Sequence, residues 1–412
     1  MVKALHQRDL VGAQVVDFDE RVDIRRLRRQ RIGRLQAEIA KADLGAALLF
    51  DPVNVRYATG TRLLETFALR FKGRHALVPR EGPPILFQAN EMDEAAVGDD
   101  VICRPMHTFE FWQTGSYVND ATAKWAQLMK ETLLDLSLAG ERLGIDRLDA
   151  ISVLALQELD VNLADAVQPL GMARAIKTVD ELALIRQACA IADVALWNVQ
   201  QAIEPGVTEE ELFAVMMETN LRYGGERIDG KLLAAGGNTN PWLKREASNR
   251  MVRSGDLVAI DTDMAGPMDY FADISRTYLC GDGRPNEEQM DAYKRAYDFL
   301  YTSIPLFKPC TAFQEIAEKV PEVPEEYKAN RYVVLAHGAG MSDEWPALYF
   351  PDTSETGFGN YPGELQEHMV ICMEASFGRE GGREQVKLEE QMIITARGPE
   401  VISQAPFDWR FF

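Results

Sequence analysis

Four acids lie within one short segment, DTDMAGPMDYFADISRT (residues 261–277), whose pattern otherwise predicts two strands joined by a turn. Side chains alternate along a strand, so Asp261 and Asp263 are expected on one face. Two like charges side by side repel each other, and we expect a cation or a shared proton between them. The turn returns Asp273 on the adjacent strand. Three converging carboxylates suit a divalent or trivalent cation that prefers hard oxygen ligands.

Two later strands carry acids of the same character. MVICMEASF places Glu374 among apolar residues, and VKLEEQMIIT brings Glu389 back after a glycine-rich turn. A Glu in a buried strand has to be paired or coordinated. In LAHGAGMSDEWP, Gly338 and Gly340 would let the backbone beside His337 approach a site closely.

Taken singly, each of these residues has a simpler interpretation. An isolated acid in a strand usually lies on the solvent face, and a His followed by Gly is usually a turn residue. Their order is more informative: D-x-D, then an Asp, then H-G-x-G, then two Glu fifteen residues apart. Together they predict a metal centre.

The composition restricts the class of protein. The chain has 412 residues, 46% of them hydrophobic, which is more typical of two domains than of one. A net charge of −20 argues against nucleic acid or an anionic membrane as a main partner, because a phosphate-binding face needs clustered Lys and Arg. An acidic field could favour a cationic substrate, although solubility alone would also account for it.

The cysteine pattern and the length of the apolar runs indicate the cellular compartment of the protein. The five cysteines are far apart and form no C-x-x-C pair, as in reduced, mostly buried thiols. The N-terminal segment has no apolar h-region, and no apolar run approaches the roughly 18 residues that span a bilayer. We therefore expect a cytoplasmic protein.

A first domain is predicted over residues 1–172. An amphipathic helix within 20–45 precedes AALLFDPVNVRYATG, which we interpret as two strands joined by a turn at Asp51 and Pro52. RHALVPREGPPILF repeats the strand, turn and strand pattern, and further strand and helix segments follow. The pattern indicates an α/β domain.

A second domain is predicted over residues 173–412. Capping boxes from Thr178 to Glu181 and from Thr208 to Glu211 mark the starts of two helices. Strands and hairpins follow, with one more helix across NEEQMDAYKRAYDFLYTSI. All of the acids of the predicted centre fall in this domain.

The constellation resembles that of the creatinase, prolidase and methionine aminopeptidase superfamily, whose catalytic domain has the pita-bread fold. The resemblance covers about 175–412, and the preceding region is similar to the superfamily's N-terminal creatinase-type domain. It implies an α/β (α+β) protein, with a creatinase-type α/β domain followed by a pita-bread domain that resembles the metallopeptidases.

The resemblance also implies a ligand set. The superfamily uses two Asp, one His and two Glu to hold one or two metal ions, so one Asp of the D-x-D pair is extra here. KLEEQMIIT matches the superfamily's R-I-E-D-x-x-x-x-T, which selects Glu389 over Glu390. The implied metal ligands are Asp261, Asp263, Asp273, His337, Glu374 and Glu389.

Two departures weaken a peptidase interpretation. The peptidases usually have a second His several residues after H-G-x-G, where this chain has Asp343, and another before the D-x-D strand, where it has none. The second domain contains only His337 and His368, and His368 is expected in an exposed turn.

A narrower resemblance accounts for these departures. FDPVNVRYATG, NTNPW, DTDMAGPMDYFADISRT, RYVVLAHGAGMSDEWP and KLEEQMIIT are similar to the DddP-type dimethylsulfoniopropionate lyases. That resemblance implies that both Asp261 and Asp263 are ligands, that Asp343 is the catalytic base and that Tyr332 lies in the substrate pocket.

The implied reaction is a carbon–sulfur lyase reaction. The metal would bind the substrate carboxylate, and Asp343 would remove a proton from the adjacent carbon, so that dimethyl sulfide leaves and acrylate forms. Burial beside Trp345 is expected to raise the pKa of Asp343. The sulfonium would rest against the aromatic rings of Tyr332, Trp345 and Trp242, unless these rings belong to the core.

Two other functions stay open. A metallopeptidase that acts on Xaa-Pro peptides could use the same ligands with two metal ions, and a binding protein without activity is a third interpretation. Iron is expected for a lyase and manganese or cobalt for a peptidase. Zinc is a further alternative, because oxygen-rich sites discriminate weakly between metal ions.

The same resemblance implies which molecules the protein binds. We expect a zwitterionic sulfonium carboxylate as the small-molecule substrate, with no nucleic acid or membrane partner. A homodimer is expected, in which Phe67, Arg70 and Trp112 of one subunit reach the pocket of the other.

Overall fold

The computed structural model describes residues 22–62, 72–88, 100–106, 108–356 and 361–412. Within them the chain forms two compact units, Asp23–Arg174 and Ala175–Phe412. The sequence pattern placed this division between residues 172 and 173.

The first unit alternates helices and strands. Its elements are α1 (Ile24–Lys41), β1 (Ala46–Leu49), α2 (Pro52–Thr59), β2 (Arg74–Pro79), β3 (Ile85–Gln88), β4 (Ile102–Pro105), α3 (Phe111–Thr114), α4 (Val118–Asp135), β5 (Leu143–Ile145), α5 (Ala150–Gln157), β6 (Leu163–Asp165) and α6 (Val167–Ala175). The strands form one mixed sheet in the order β4-β3-β2-β1-β5-β6. The hairpin predicted in RHALVPREGPPILF is confirmed as β2 and β3. Apolar side chains of this sheet and of α4 form the core.

The second strand predicted in AALLFDPVNVRYATG is wrong, because Pro52–Thr59 form helix α2. The carboxylate of Asp51 accepts hydrogen bonds from the backbone N–H groups of Val53 and Asn54, and a proline occupies the first turn. Gly60 ends the helix with φ 70°. The β-branched residues favoured a strand, but the two caps stabilise a helix.

Three residues of the first unit were expected to reach a partner's pocket. Phe67 and Arg70 lie outside the described residues. Trp112 lies on α3 and is 55% exposed, so its side chain is accessible in this chain.

The second unit carries three sheets and five helices among its described residues. Its elements are α7 (Val179–Ala202), α8 (Glu209–Arg222), β7 (Arg227–Ile228), β8 (Leu233–Ala235), β9 (Leu257–Asp261), β10 (Met264–Ala265), β11 (Phe271–Ala272), β12 (Ser275–Leu279), α9 (Glu287–Ser303), α10 (Phe313–Lys319), α11 (Glu325–Lys328), β13 (Val334–Ala339), β14 (Asp343–Tyr349), β15 (Val370–Phe377), β16 (Val386–Thr395) and β17 (Gly398–Val401). The sheets have the strand orders β12-β9-β8, β11-β10-β7 and β14-β13-β15-β16-β17.

Helices α7 and α8 begin as predicted. Both capping boxes are present, with Thr178 and Thr208 as the capping residues. Helix α7 is long and apolar enough on average to cross a membrane, although its sequence has no uninterrupted apolar run of that length, and 67% of its most apolar stretch is buried inside the protein. Such burial is typical of a core helix.

Candidate metal centre

One face of the five-stranded sheet carries the two predicted Glu residues. On β15, Ile371, Met373 and Ala375 belong to the apolar core, so the alternating Glu374 lies on the opposite face. On β16 the same alternation separates core residues from Glu389. Glu374 and Glu389 are direct cross-strand partners. Two like charges in this position destabilise a sheet unless a cation compensates them.

The neighbouring residue Glu390 points to the other face. Its carboxylate accepts two hydrogen bonds of 3.0 Å from the buried guanidinium of Arg276. It also accepts a hydrogen bond from the Tyr301 hydroxyl at 2.8 Å. Glu390 is therefore fully engaged away from the candidate centre, and Glu389 is the acid that faces it.

The D-x-D segment lies at a strand end rather than inside one long strand. Asp261 is the last residue of β9, and Asp263 follows at a kink with φ 34°. Between them, the Thr262 hydroxyl donates to the carbonyl oxygen of Ala272 at 2.9 Å and accepts from the backbone N–H of Ile274 at 3.0 Å. These two bonds hold the returning chain so that oxygens of Asp261, Asp263 and Asp273 lie within 4.8 Å of one another.

His337 on β13 brings the second grouping together. Its Nε2 lies 3.3 Å from Asp273 Oδ2, 3.5 Å from Glu374 Oε1 and 3.6 Å from Glu389 Oε1. Its Nδ1 lies 3.1 Å from the carbonyl oxygen of Gly338. A hydrogen on Nδ1 would donate to that carbonyl and leave the Nε2 lone pair for a metal.

The buried acceptors fit a cation. Asp273 Oδ1 and Glu389 Oε1 are buried and accept no hydrogen bond from any described residue. Unsatisfied buried oxygens are costly, and their presence in a native site indicates a bound ion. Hard carboxylate oxygens with one imidazole nitrogen suit a divalent or ferric ion.

The pKa values of the acids lead to the same conclusion. Burial raises the pKa of Asp263 to about 9, and repulsion from Asp261 and Asp343 adds to this effect. Burial also raises the pKa of Asp261, despite the attraction of Lys387, and it raises the pKa of Asp273 well above its usual value. A metal ion that binds here would displace the protons that a raised pKa favours on these carboxyl groups.

Sequence reasoning missed two residues of this face. Lys387, two residues before Glu389 on β16, lies with its Nζ 3.1 Å from Glu389 Oε2 and 3.2 Å from Asp261 Oδ2. Cys372, two residues before Glu374, lies opposite His337 in the sheet, and its sulfur falls within the grouping around that His. Strand alternation from Glu374 and Glu389 would have found both residues.

Asp343, the predicted base, lies at the edge of the centre. Its Oδ1 is 3.6 Å from His337 Nδ1, and its side chain is 63% exposed. Desolvation by the surrounding protein and the charges of Glu389, Asp261 and Asp229 raise its pKa, against the attraction of His337. The predicted burial of the carboxylate beside Trp345 is wrong, but the predicted direction of the pKa shift is confirmed.

The three predicted aromatic residues occupy two places. The rings of Trp242 and Tyr332 each lie 5.9 Å from Lys387 Nζ, so both stand beside the acidic cluster. Trp242 is 9% exposed and also contacts a small apolar cluster, as expected if its ring belongs to the core. Trp345 packs against Phe313 and Tyr361. It follows Asp343 by two residues on β14, but an irregularity between Glu344 and Ala347 interrupts the alternation of this strand, and Trp345 packs against the apolar core.

Close packing shapes the loop between His337 and Asp343. A Cβ on Gly338 would lie 2.5 Å from the Trp345 carbonyl oxygen, and one on Gly340 would lie 2.3 Å from the Glu344 carboxylate. Both glycines therefore permit the approach of β14 to β13. The Glu344 carboxylate also accepts from the backbone N–H of Met341 at 3.1 Å.

A buried ion pair fixes this loop. Lys177 Nζ lies 3.1 Å from Glu344 Oε2, and both side chains are 1% exposed. Replacing Lys177 by Met is expected to lower the free energy of unfolding by about 3–5 kcal/mol, because it removes the cation that is paired with a buried carboxylate. Urea denaturation measures the change.

The matched control is an exposed ion pair of the same unit. Arg186 and Glu400 lie 2.6 Å apart with side chains that are 40% and 48% exposed. Replacing Arg186 by Gln is expected to change the free energy of unfolding by less than about 1 kcal/mol. Equal effects of the two substitutions would contradict the role given to Lys177.

Comparison with known families supports the fold. Residues 183–396 match the metallopeptidase family M24, and residues 31–181 match the creatinase/prolidase N-terminal domain. Among solved structures, the Xaa-Pro dipeptidase from Bacillus anthracis has a TM-score of 0.72 at 20% identity and covers 92% of this chain and 98% of its own. The prolidase from Pyrococcus furiosus has a TM-score of 0.72 at 23% identity, covering 90% and 99%. The predicted architecture is confirmed.

Curated relatives divide between two activities. The dimethylsulfoniopropionate lyase DddP of Roseovarius nubinhibens is 29% identical over 393 residues, which cover 94% of this chain and 87% of the relative. The Xaa-Pro dipeptidase of Pyrococcus furiosus is 29% identical over 236 residues, which cover 56% of this chain and 64% of the relative. The similarity to the lyase thus extends over both units of the chain.

Proposed function

For this chain, which belongs to the metallopeptidase family M24 and carries the creatinase/prolidase N-terminal domain, we propose the activity of a metal-dependent lyase that cleaves dimethylsulfoniopropionate into dimethyl sulfide and acrylate. One observation carries this proposal: the carboxylate of Asp343 lies 3.6 Å from His337, with a raised pKa, beside an acidic centre. The similarity to the lyase DddP over 94% of the chain supports it.

The acidic cluster provides the ligands in this proposal. The ligands that we assign are Asp261, Asp263, Asp273, His337, Glu374 and Glu389. Iron is the metal proposed for the lyase, and manganese, cobalt and zinc would accept the same donors. When bound, the metal would stabilise the negative charge that develops on the substrate carboxylate as the adjacent carbon loses its proton.

Asp343 acts as the general base in this proposal. Its carboxylate takes a proton from the carbon next to the substrate carboxylate, and the electrons of that C–H bond form the carbon–carbon double bond. The C–S bond breaks, and its electron pair leaves with dimethyl sulfide. The exposure of Asp343 suits this role, because a substrate has to reach it.

The aromatic side chains would hold the sulfonium. Trp345 lies two residues after the base on β14, while Tyr332 and Trp242 stand on the side of Lys387. The face of an aromatic ring attracts a cation, and a sulfonium has no hydrogen-bond donor that would compete with this contact.

An Xaa-Pro dipeptidase is the second candidate. The acids form two adjoining groupings, one around His337 and one made of Asp261, Asp263 and Asp273, as a two-metal hydrolase would require. The dipeptidase similarity over 56% of the chain also favours it. Residues 175–412 contain no histidine besides His337 and His368, however, and the base position holds Asp343.

A paired assay on one preparation separates the two candidates. Protein loaded with iron or with manganese is given either dimethylsulfoniopropionate or an Xaa-Pro dipeptide. We expect headspace dimethyl sulfide and no proline release. Proline release with either metal, in the absence of dimethyl sulfide, would establish the peptidase and contradict the lyase.

The raised pKa of Asp343 predicts a pH dependence. The base is active only as the carboxylate, so kcat/KM should fall as the pH drops through a pKa above the usual Asp value of about 3.9. The charge of Asp229 helps to raise that pKa. An Asp229→Asn variant should therefore move the acid limb to lower pH, as pH profiles of kcat/KM would measure, and an unmoved or upward-shifted limb would contradict the assignment.

A further inference from the structure

A buried glutamine outside the acidic centre joins two segments that carry aromatic side chains. Gln385 lies just before β16 and is fully buried. Its Oε1 accepts from the backbone N–H of Trp242 at 2.9 Å. Its Nε2 donates to the backbone carbonyl of Asn330 at 2.9 Å, two residues before Tyr332. One side-chain amide therefore connects the segment of Trp242 to the segment of Tyr332.

Further hydrogen bonds fix the same two segments. The side-chain amide of Asn330 donates to Asn240 Oδ1 at 2.8 Å, and that of Asn240 donates to the carbonyl oxygen of Arg379 at 3.0 Å. The backbone N–H of Gln385 donates to the Thr239 hydroxyl at 2.9 Å. Both segments are thus held by directional bonds, and the Gln385 amide contributes to them with its oxygen and its nitrogen.

The rings on these segments border the acidic cluster from one side. The ring centroids of Trp242 and Tyr332 each lie 5.9 Å from the same atom, Lys387 Nζ. An aromatic face attracts a cation within about 6 Å of its centroid, so the attraction depends on where each ring stands. Small displacements of the two backbone segments would therefore weaken it.

We propose that Gln385 is a positioning residue: it holds Trp242 and Tyr332 in place and so gives the pocket its preference for a positively charged head group over a neutral one of the same shape. The inference rests on the proposed function, which supplies a substrate with a sulfonium at one end and a carboxylate at the other. Gln385 acts through the two rings, because its own side chain is buried against their backbone segments.

Two ligands that differ only in charge test the inference without turnover. The probes are 3-(trimethylammonio)propionate and its neutral-headed isostere 4,4-dimethylpentanoate, and isothermal titration of manganese-loaded full-length protein gives both dissociation constants. We expect the wild type to bind the cationic probe at least about tenfold more tightly than the neutral one. In Gln385→Met, which has a side chain of similar length but neither hydrogen bond, we expect this ratio to fall at least about fivefold.

A second buried glutamine of the same unit provides the matched control. The side chain of Gln289 donates to the Gly255 carbonyl at 2.9 Å and to Glu384 Oε2 at 2.8 Å, and it accepts from the backbone N–H of Asn286 at 2.9 Å. A Gln289→Met variant loses as many bonds but should keep the wild-type ratio of the two dissociation constants. A role of Gln385 in stability alone would lower the folded fraction and leave this ratio unchanged.

Three results would overturn the inference: a wild type without preference for the cationic probe, a Gln385→Met variant with the wild-type ratio, or an equal loss of preference in Gln289→Met. If Gln385→Met does not fold, Gln385→Asn decides, because its amide is one methylene short of the same partners. Loss of the preference in a protein that fails the lyase assay would contradict only the proposed reaction. Lyase activity with an unchanged ratio in Gln385→Met would contradict only the role of Gln385.

Discussion

Replacing His337 by Asn is expected to lower metal affinity by at least about 100-fold, on the order of 3 kcal/mol. The substitution removes the nitrogen that lies within 3.3–3.6 Å of three carboxylates, and the shorter Asn side chain does not reach its position. The remaining acids would bind an ion weakly, in part because burial raises the pKa values of Asp263 and Asp273, so that an ion has to displace protons from them. Isothermal titration with manganese or iron(II) measures the affinity.

His368 provides the matched control. It lies in a turn with φ 70°, a backbone conformation that Asn tolerates, and its side chain is 40% exposed. A His368→Asn variant should bind metal as the wild type does. Wild-type affinity in the His337→Asn variant would contradict the assignment of His337 as a ligand.

Replacing Asp343 by Asn is expected to slow dimethyl sulfide release by about 100- to 10,000-fold, the usual contribution of a general base. The amide has nearly the same shape but cannot take a proton from carbon. Metal content should be unchanged, because Asp343 lies beside His337 Nδ1, on the side away from the three carboxylates. Initial rates and metal analysis on the same samples measure both effects.

A neighbouring substitution controls for disturbance of the loop. Ser342 donates to the backbone carbonyl of Asp343 at 3.0 Å and has no role in the proposed chemistry. A Ser342→Ala variant should keep its rate within about twofold of the wild type. An Asp343→Asn variant with a wild-type rate would show that another group removes the proton.

Local patterns and the superfamily resemblance together predicted much of the centre. The glycine-rich turn was expected to bring the second strand back beside Glu374, and the resemblance selected Glu389 over Glu390. The structure shows Glu374 and Glu389 as a cross-strand pair. The helix starts at Thr178 and Thr208 were also predictable, because a capping box is complete within four residues.

Features that depend on tertiary packing were harder to predict. The kink at Asp263 and the exposure of Asp343 depend on contacts between segments that are distant in the sequence, and neither follows from local sequence. The missed lysine is different, because Lys387 shares a strand face with Glu389 and alternation would have revealed it. In helix α2, the capping residues Asp51 and Gly60 are present in the sequence, but Asp51 was interpreted as a turn residue.

The fold and the acidic centre are common to two chemistries, and the residue beside His337 distinguishes them in our proposal. A lyase needs a base that reaches a carbon next to a carboxylate, and the exposed, pKa-raised Asp343 supplies one. This feature favours elimination over hydrolysis in our proposal.

Identification of the products from dimethylsulfoniopropionate tests the proposed reaction most directly. Purified, iron-loaded protein is incubated with the substrate, dimethyl sulfide is measured in the headspace, and the carboxylate product is identified by NMR. We predict equal amounts of dimethyl sulfide and acrylate, both lost in the Asp343→Asn variant. Dimethyl sulfide accompanied by 3-hydroxypropionate instead of acrylate, or no turnover at all, would contradict the proposed elimination.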